Sequence, residues 1–137
     1  MKKRIALLSI LFALTAFAQA QPADGFFKKV QKQYSKSLAF ENQGVVESAI
    51  VQLIVMKLRY PDLKMAKIED DLRRLVLQGE TSDLRYKAFV ALYVLQNPRS
   101  INFDIKNLED NEVAYLTVKT VLERQFMAIP EFAATGN

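Results

Sequence analysis

Asn42-Gln43-Gly44-Val45-Val46-Glu47-Ser48-Ala49-Ile50-Val51-Gln52-Leu53 is answered 39 positions later by Thr81-Ser82-Asp83-Leu84-Arg85-Tyr86-Lys87-Ala88-Phe89-Val90-Ala91-Leu92. Ala49 falls on Ala88 and Leu53 on Leu92, while Val45 and Ile50 fall on Leu84 and Phe89. A period close to 40 residues that has room for two helices is the signature of stacked helix pairs. The stretch from Asn42 to Pro98 therefore predicts an all-α fold, and the rest of the chain is read outward from it.

The first helix of this stretch is predicted over about Val45–Arg59, set off by Gly44. Ten of its fifteen residues are apolar and they go nearly all the way round, so it must be buried on more than one side. Its β-branched residues would also suit strands, but an unbroken run of this length containing Ala and Met argues for helix. Tyr60-Pro61-Asp62 stops it. The next helix, about Leu63–Gln78, is amphipathic. Met65, Ile68, Leu72, Leu75 and Val76 form its apolar stripe, and Lys67, Asp70, Asp71, Arg74 and Gln78 its polar face. Lys67 with Asp71, and Asp70 with Arg74, are opposite charges at i and i+4. Gly79 is placed as a C-cap and Thr81 or Ser82 as the following N-cap. About Asp83–Gln96 then reads as a second buried helix through its apolar run Ala88–Leu95.

Towards the N-terminus, Phe26, Val30, Tyr34 and Leu38 recur every four positions, with Asp24 placed as an N-cap, and Lys28, Lys32 and Lys36 recur on another face with Lys29 beside them. Two readings follow. The helix caps the first repeat with its lysines solvated, or it lies on an anionic membrane through Lys28, Lys29, Lys32 and Lys36. Before it, Lys2, Lys3 and Arg4 precede an apolar run from Ile5 to Phe17 and an Ala18-Gln19-Ala20 ending. That is the layout of a secretory signal cleaved after Ala20, the run being too short for a convincing membrane anchor. Without its three basic residues, sixteen Lys and Arg face fifteen Asp and Glu, so the formal charge falls from +4 to +1. The basic balance is thus mostly that of the signal, and a nucleic-acid partner loses its support. With no cysteine to staple or to lipidate, the exported chain is expected in a bacterial periplasm or the extracellular medium, stabilised by packing alone.

After Asn97-Pro98, residues 99–108 offer Ile101, Phe103 and Ile105 in alternation. Without a second strand to pair with, these are read as an ordered loop tucked under the helices. Glu109, Asp110 and Glu112 suit the first turn of a last helix, which runs to about Met127 with Tyr115, Val118, Leu122 and Phe126 on one face. Pro130 ends it and a tail follows. The predicted organisation is a signal (1–20), a capping helix (21–41), a repeat domain (42–127) and a tail (128–137).

The recurring Val/Leu-x-x-x-Ala-Ile/Phe-Val-x-Leu pattern on helix pairs of this length resembles HEAT repeats of the α-solenoid class, over about residues 42–127. The resemblance implies a right-handed stack of antiparallel helix pairs, about five helices in the mature chain. It further implies a scaffolding or protein-binding role without catalysis. Asp83 and Arg85 match the Asp and basic residue that such repeats often carry, whereas Gly44 and Val46 stand at the corresponding places in the first copy.

The residues themselves argue the same way. The chain has no His and no Cys, which removes the imidazole base and ligand and the thiol nucleophile. Glu69-Asp70-Asp71 and Glu109-Asp110-x-Glu112 lack calcium-loop spacing, and adjacent helical carboxylates point apart. Neither a glycine-rich phosphate loop nor Gly-x-Ser-x-Gly occurs. No catalytic residue, metal or cofactor is expected, and the expected partner is another protein. Arg59 and Tyr60, with Arg85, Tyr86 and Lys87, are the candidate contacts, as large or basic residues near the repeat junctions.

Overall fold

The computed structural model describes residues 24–102 and 110–128. The signal-like segment, Phe103, Ile105, Glu109, Pro130 and the tail after Ala128 lie outside the described residues. The chain divides into a unit ending at Val30 and a unit from Gln31 onward. Helix α1 (Asp24–Leu38) begins in the first and ends in the second. In the first unit Phe26 is exposed and Phe27 buried, their rings edge to face at 5.7 Å, and Lys28 and Lys29 are exposed.

The second unit contains the end of α1, then α2 (Gln43–Arg59), α3 (Ala66–Gln78), α4 (Ser82–Gln96), a single 3-10 turn (Pro98–Ser100) and α5 (Asn111–Met127). The expected five helices are present, and no strand occurs among the described residues. The two answering stretches begin with equivalent caps. The Asn42 side chain accepts from the Val45 N–H, and the Thr81 hydroxyl accepts from the Leu84 N–H at 3.1 Å, each filling one of the orphan donors of a first turn.

α2 is buried nearly all round, as its composition requires: Val46, Ala49, Ile50, Val51, Leu53, Ile54, Val55 and Leu58 are all in the core. It packs along α4 and against α5, while α4 also packs along α3. Side-chain bridges fix the direction of α2 and α4. At their starts Gln43 meets Thr81 and Glu47 meets Lys87; just past their ends Asp62 meets Arg99 at 2.9 Å. The two helices are therefore parallel. The short link Gly79–Thr81 turns α3 back into α4. α5 does not return antiparallel along α4. Its first residues, Asn111, Glu112 and Tyr115, lie against Gly44, Glu47 and Ser48 at the start of α2, and its last turn lies beside Phe89 and Tyr93 of α4. It consequently starts where α2 and α4 start.

Gly79 does not cap α3 through the left-handed conformation that usually selects glycine there, since its φ is −56°. A side chain is excluded by space instead: a Cβ would lie 2.7 Å from the Leu75 carbonyl oxygen and 3.0 Å from Cγ of Arg85. Gly79→Ala should accordingly lose about 1–3 kcal/mol, the usual cost of forcing a methyl into filled space. A urea midpoint unchanged from wild type would show that the link has room.

α3 departs from its predicted polar face at one residue. Asp71 is only 1 % exposed, covered from the side of α1. Lys67 reaches it at 2.6 Å as predicted, but Asp70 pairs with Arg73 rather than Arg74, and Arg74 turns to Asp71 at 3.1 Å. α3 also starts later than predicted, at Ala66, after a buried Met65. Lys57 is a second buried charge, its ammonium donating to the Leu63 carbonyl across the turn that ends α2; burial pushes its pKa down.

Candidate functional site

The five residues singled out as partner contacts fall at opposite ends of two parallel helices. Arg59 closes α2 and is exposed, and Tyr60 follows as its C-cap, its N–H donating to the Met56 carbonyl. Arg85, Tyr86 and Lys87 lie in the opening turns of α4, and at about 1.5 Å of rise per residue the length of a helix puts roughly 20 Å between the two groups, so they do not form one patch.

Within the α4 group the three side chains do different work. The Arg85 guanidinium donates to the Gly79 carbonyl at 2.7 Å and ties down the α3–α4 link. Lys87 is sandwiched between Glu47 of α2 at 2.8 Å and Asp83 at 3.0 Å, with the Tyr115 ring of α5 centred 5.9 Å from its Nζ. The hydrogen bond to Glu47 leads the effects that raise the Lys87 pKa, and the same bond leads those that lower the Glu47 carboxyl's. Burial pushes the Tyr115 phenol up to about 12. These three groups border a polar recess of about 240 Å³ where α2, α4 and α5 begin. An ammonium held by two carboxylates is neither a free anion receptor nor a nucleophile, and its role is to tie three helices together.

Tyr86 behaves differently, and it leads to residues that the sequence reading passed over. Its ring stacks at 6.4 Å on Phe89, Phe89 meets Phe126 at 5.9 Å, and Phe126 meets Tyr93 edge to face at 5.6 Å. Tyr86, Phe89 and Tyr93 stand at i, i+3 and i+7 on α4, so one helix face supplies three rings and the last turn of α5 the fourth. Phe89 is 37 % exposed, and Met127, beyond Phe126, is 61 % exposed. Polar groups rim the strip: the Tyr86 hydroxyl donates to Glu123 at 3.3 Å, and Lys119 lies 6.0 Å from the Tyr86 ring centre. The aromatic spacing in Tyr86-x-x-Phe89-x-x-x-Tyr93 was the available signal; counting the run Ala88–Leu95 simply as core concealed it.

Lys32 and Lys36 are exposed on the second unit's part of α1, as Lys28 and Lys29 are in the first unit. Among the described residues no helix is long and apolar enough to cross a membrane. Searches of protein families, curated proteins and solved structures return no match for this chain.

Proposed function

We propose that this chain is an exported, non-catalytic helical protein of the cell envelope, a short HEAT-like array cleaved after Ala20, that binds another protein through the face built by α4 and α5. The observation that carries the reading is the aromatic strip Tyr86–Phe89–Phe126–Tyr93, partly open to solvent and rimmed by Lys119 and Glu123. Large aromatic side chains bring contact area at low entropic cost, and Tyr in particular is enriched among interface anchors. The signal-like first twenty residues and the absence of cysteine support the compartment.

The test is paired capture from an envelope extract with mature wild-type protein and a Phe89→Ser variant. Phe89 is the most exposed ring of the strip, so the fold should tolerate the change. A partner retained by wild type should be lost or weakened at least tenfold with the variant. Equal capture by both would remove the strip from the interface. The exposed lysines keep a membrane-surface reading as the alternative outcome: salt-sensitive sedimentation with anionic vesicles, lost when Lys28, Lys29, Lys32 and Lys36 become Gln, would replace the protein-binding reading.

A further inference from the structure

The end of α1 lies beside α3 and runs in the same direction. Gln31 donates to the Lys64 carbonyl just before α3, and one turn later Ser35 donates to Asp71 within it at 2.5 Å. Tyr34 reaches across to Gln52 of α2 and Leu38 is buried, so these residues fix which way that stretch of α1 is turned. Lys32 and Lys36 follow Gln31 and Ser35 by one position each, about 100° further round the helix and away from α2. They come out exposed on the side of α3.

There they join the cations of α3. Lys67 and Arg74 both bond the buried Asp71 carboxylate, yet each keeps more than half of its side chain open to solvent, and Lys64 is exposed just before the helix. Five cations thus converge from two segments far apart in sequence, with Asp71 the one carboxylate among them, while Asp70 is taken by Arg73 at 2.7 Å. No ion pair engages Lys32, Lys36 or Lys64 among the described residues. Residues 21–137 together carry only +1, so this is a segregation of charge and not a generally basic surface. The face ends in apolar residues. Phe40, 60 % exposed, shares a recess with Arg74 and Gln78, and Leu77, three positions after Arg74, is 75 % exposed.

We propose that this α1/α3 face binds an extended acidic segment of a partner protein, one that ends in large apolar residues lying toward Phe40 and Leu77. Lys32 and Lys36 are about 6 Å apart along α1, and an extended chain returns to one face about every 6.6 Å, so alternate carboxylates keep step with the cations. Complementary charge of this kind selects the partner and steers its approach. An anionic bilayer fits the face less well. An amphipathic helix enters a membrane interface by burying its apolar stripe there, but Tyr34 and Leu38 of α1 are spent inside the fold. The inference rests on the protein-binding reading and adds a second contact surface, separate from the aromatic strip.

The probe is a fluorescent decapeptide in which Glu alternates with Ser and the last two residues are Phe and Leu. It should bind the mature full chain saturably and lose affinity from low to physiological salt, and the same peptide with Gln for Glu should not bind. Lys32→Glu with Lys36→Glu should weaken binding at least about tenfold, whereas Arg99→Glu with Arg124→Glu, an equal change of net charge beside α4 and in α5, should alter it less than about twofold. A peptide with Lys for Glu should in turn prefer the Lys32→Glu, Lys36→Glu chain to wild type, which also shows that this chain is folded. No saturable binding to wild type would overturn the proposal, as would indifference to the Gln peptide or equal losses in the two charge-reversed chains. Sedimentation with phosphatidylglycerol vesicles in the absence of peptide binding would overturn it in favour of a membrane. Peptide failure with Phe89-dependent capture intact sinks this face and leaves the aromatic strip; the converse sinks the aromatic strip.

Discussion

Val94→Asp should collapse the fold. Val94 is fully buried in the apolar core, in α4, the helix that packs against α2, α3 and α5. An uncompensated carboxylate there costs about 3–5 kcal/mol, against a total stability of about 5–15 kcal/mol for a domain of this kind. The thermal midpoint followed by helical circular dichroism should fall by about 15–30 °C, or the variant should be unfolded at room temperature. A melt within a few degrees of wild type would take Val94 out of the core. Leu92→Asp, by contrast, should cost less: the 39-residue answer to Leu53 places Leu92 in the core, but its side chain is only half-buried while Leu53 is fully buried.

The second large effect is expected at Lys87, and its signature is a pH profile. Lys87→Met keeps the apolar stem but removes the charge bridging Glu47 and Asp83, leaving the partly buried Glu47 with Gln43 alone. A loss of about 2 kcal/mol is expected, from hydrogen bonds to a charged group in a largely covered site. The Glu47 carboxyl is held below its unfolded value of 4.5 mainly by Lys87, so its contribution is complete above that pH and lost as pH falls through the lower folded value. Lys87 is raised above 10.5, so its contribution is complete below that pH and is lost as pH climbs through the higher folded value. Wild-type stability from this pair should be flat through neutrality and decline at both extremes. In Lys87→Met the acid decline should shrink, and urea titrations from pH 3 to pH 8 would show it. An unchanged acid limb would mean that Glu47 owes its low pKa to another group.

Much of the fold was legible because its helices announce themselves locally. The amphipathic period of α3, the all-round apolar surface of α2 and the capping residue before α4 are each set by a few neighbouring residues. What escaped depends on which elements meet. Asp71 belongs to a polar face by spacing, and only the arrival of Ser35 from α1 makes it a buried acceptor. There, burial pushes the carboxyl up, but the hydrogen bonds from Lys67 and Ser35 outweigh it and leave the pKa lowered. Lys57 likewise looks like a solvated last-turn cation, and is buried because the turn after α2 offers it a carbonyl. The candidate site divided the same way. Tyr86 was chosen for its residue type, yet its significance comes from Phe126, 40 positions away, which no helical period reveals. Arg85 and Lys87 were chosen for their charge, which the fold spends on internal bonds.

The placement of α5 against the start of α2 bears on how the chain reaches its native state. Contacts within α3 and α4 close short loops, but α5 must find a helix from which most of the second unit separates it. Closing that long loop is entropically expensive and is rewarded only once α2 and α4 are already paired, so docking of α5 belongs late in folding. Until it arrives, the start of α2 lacks its Tyr115 cover. The last helix thus ties the end of the second unit to its beginning, and an element that joins last is also the first free to undock, so α5 should lose amide-exchange protection before α2 and α4 do.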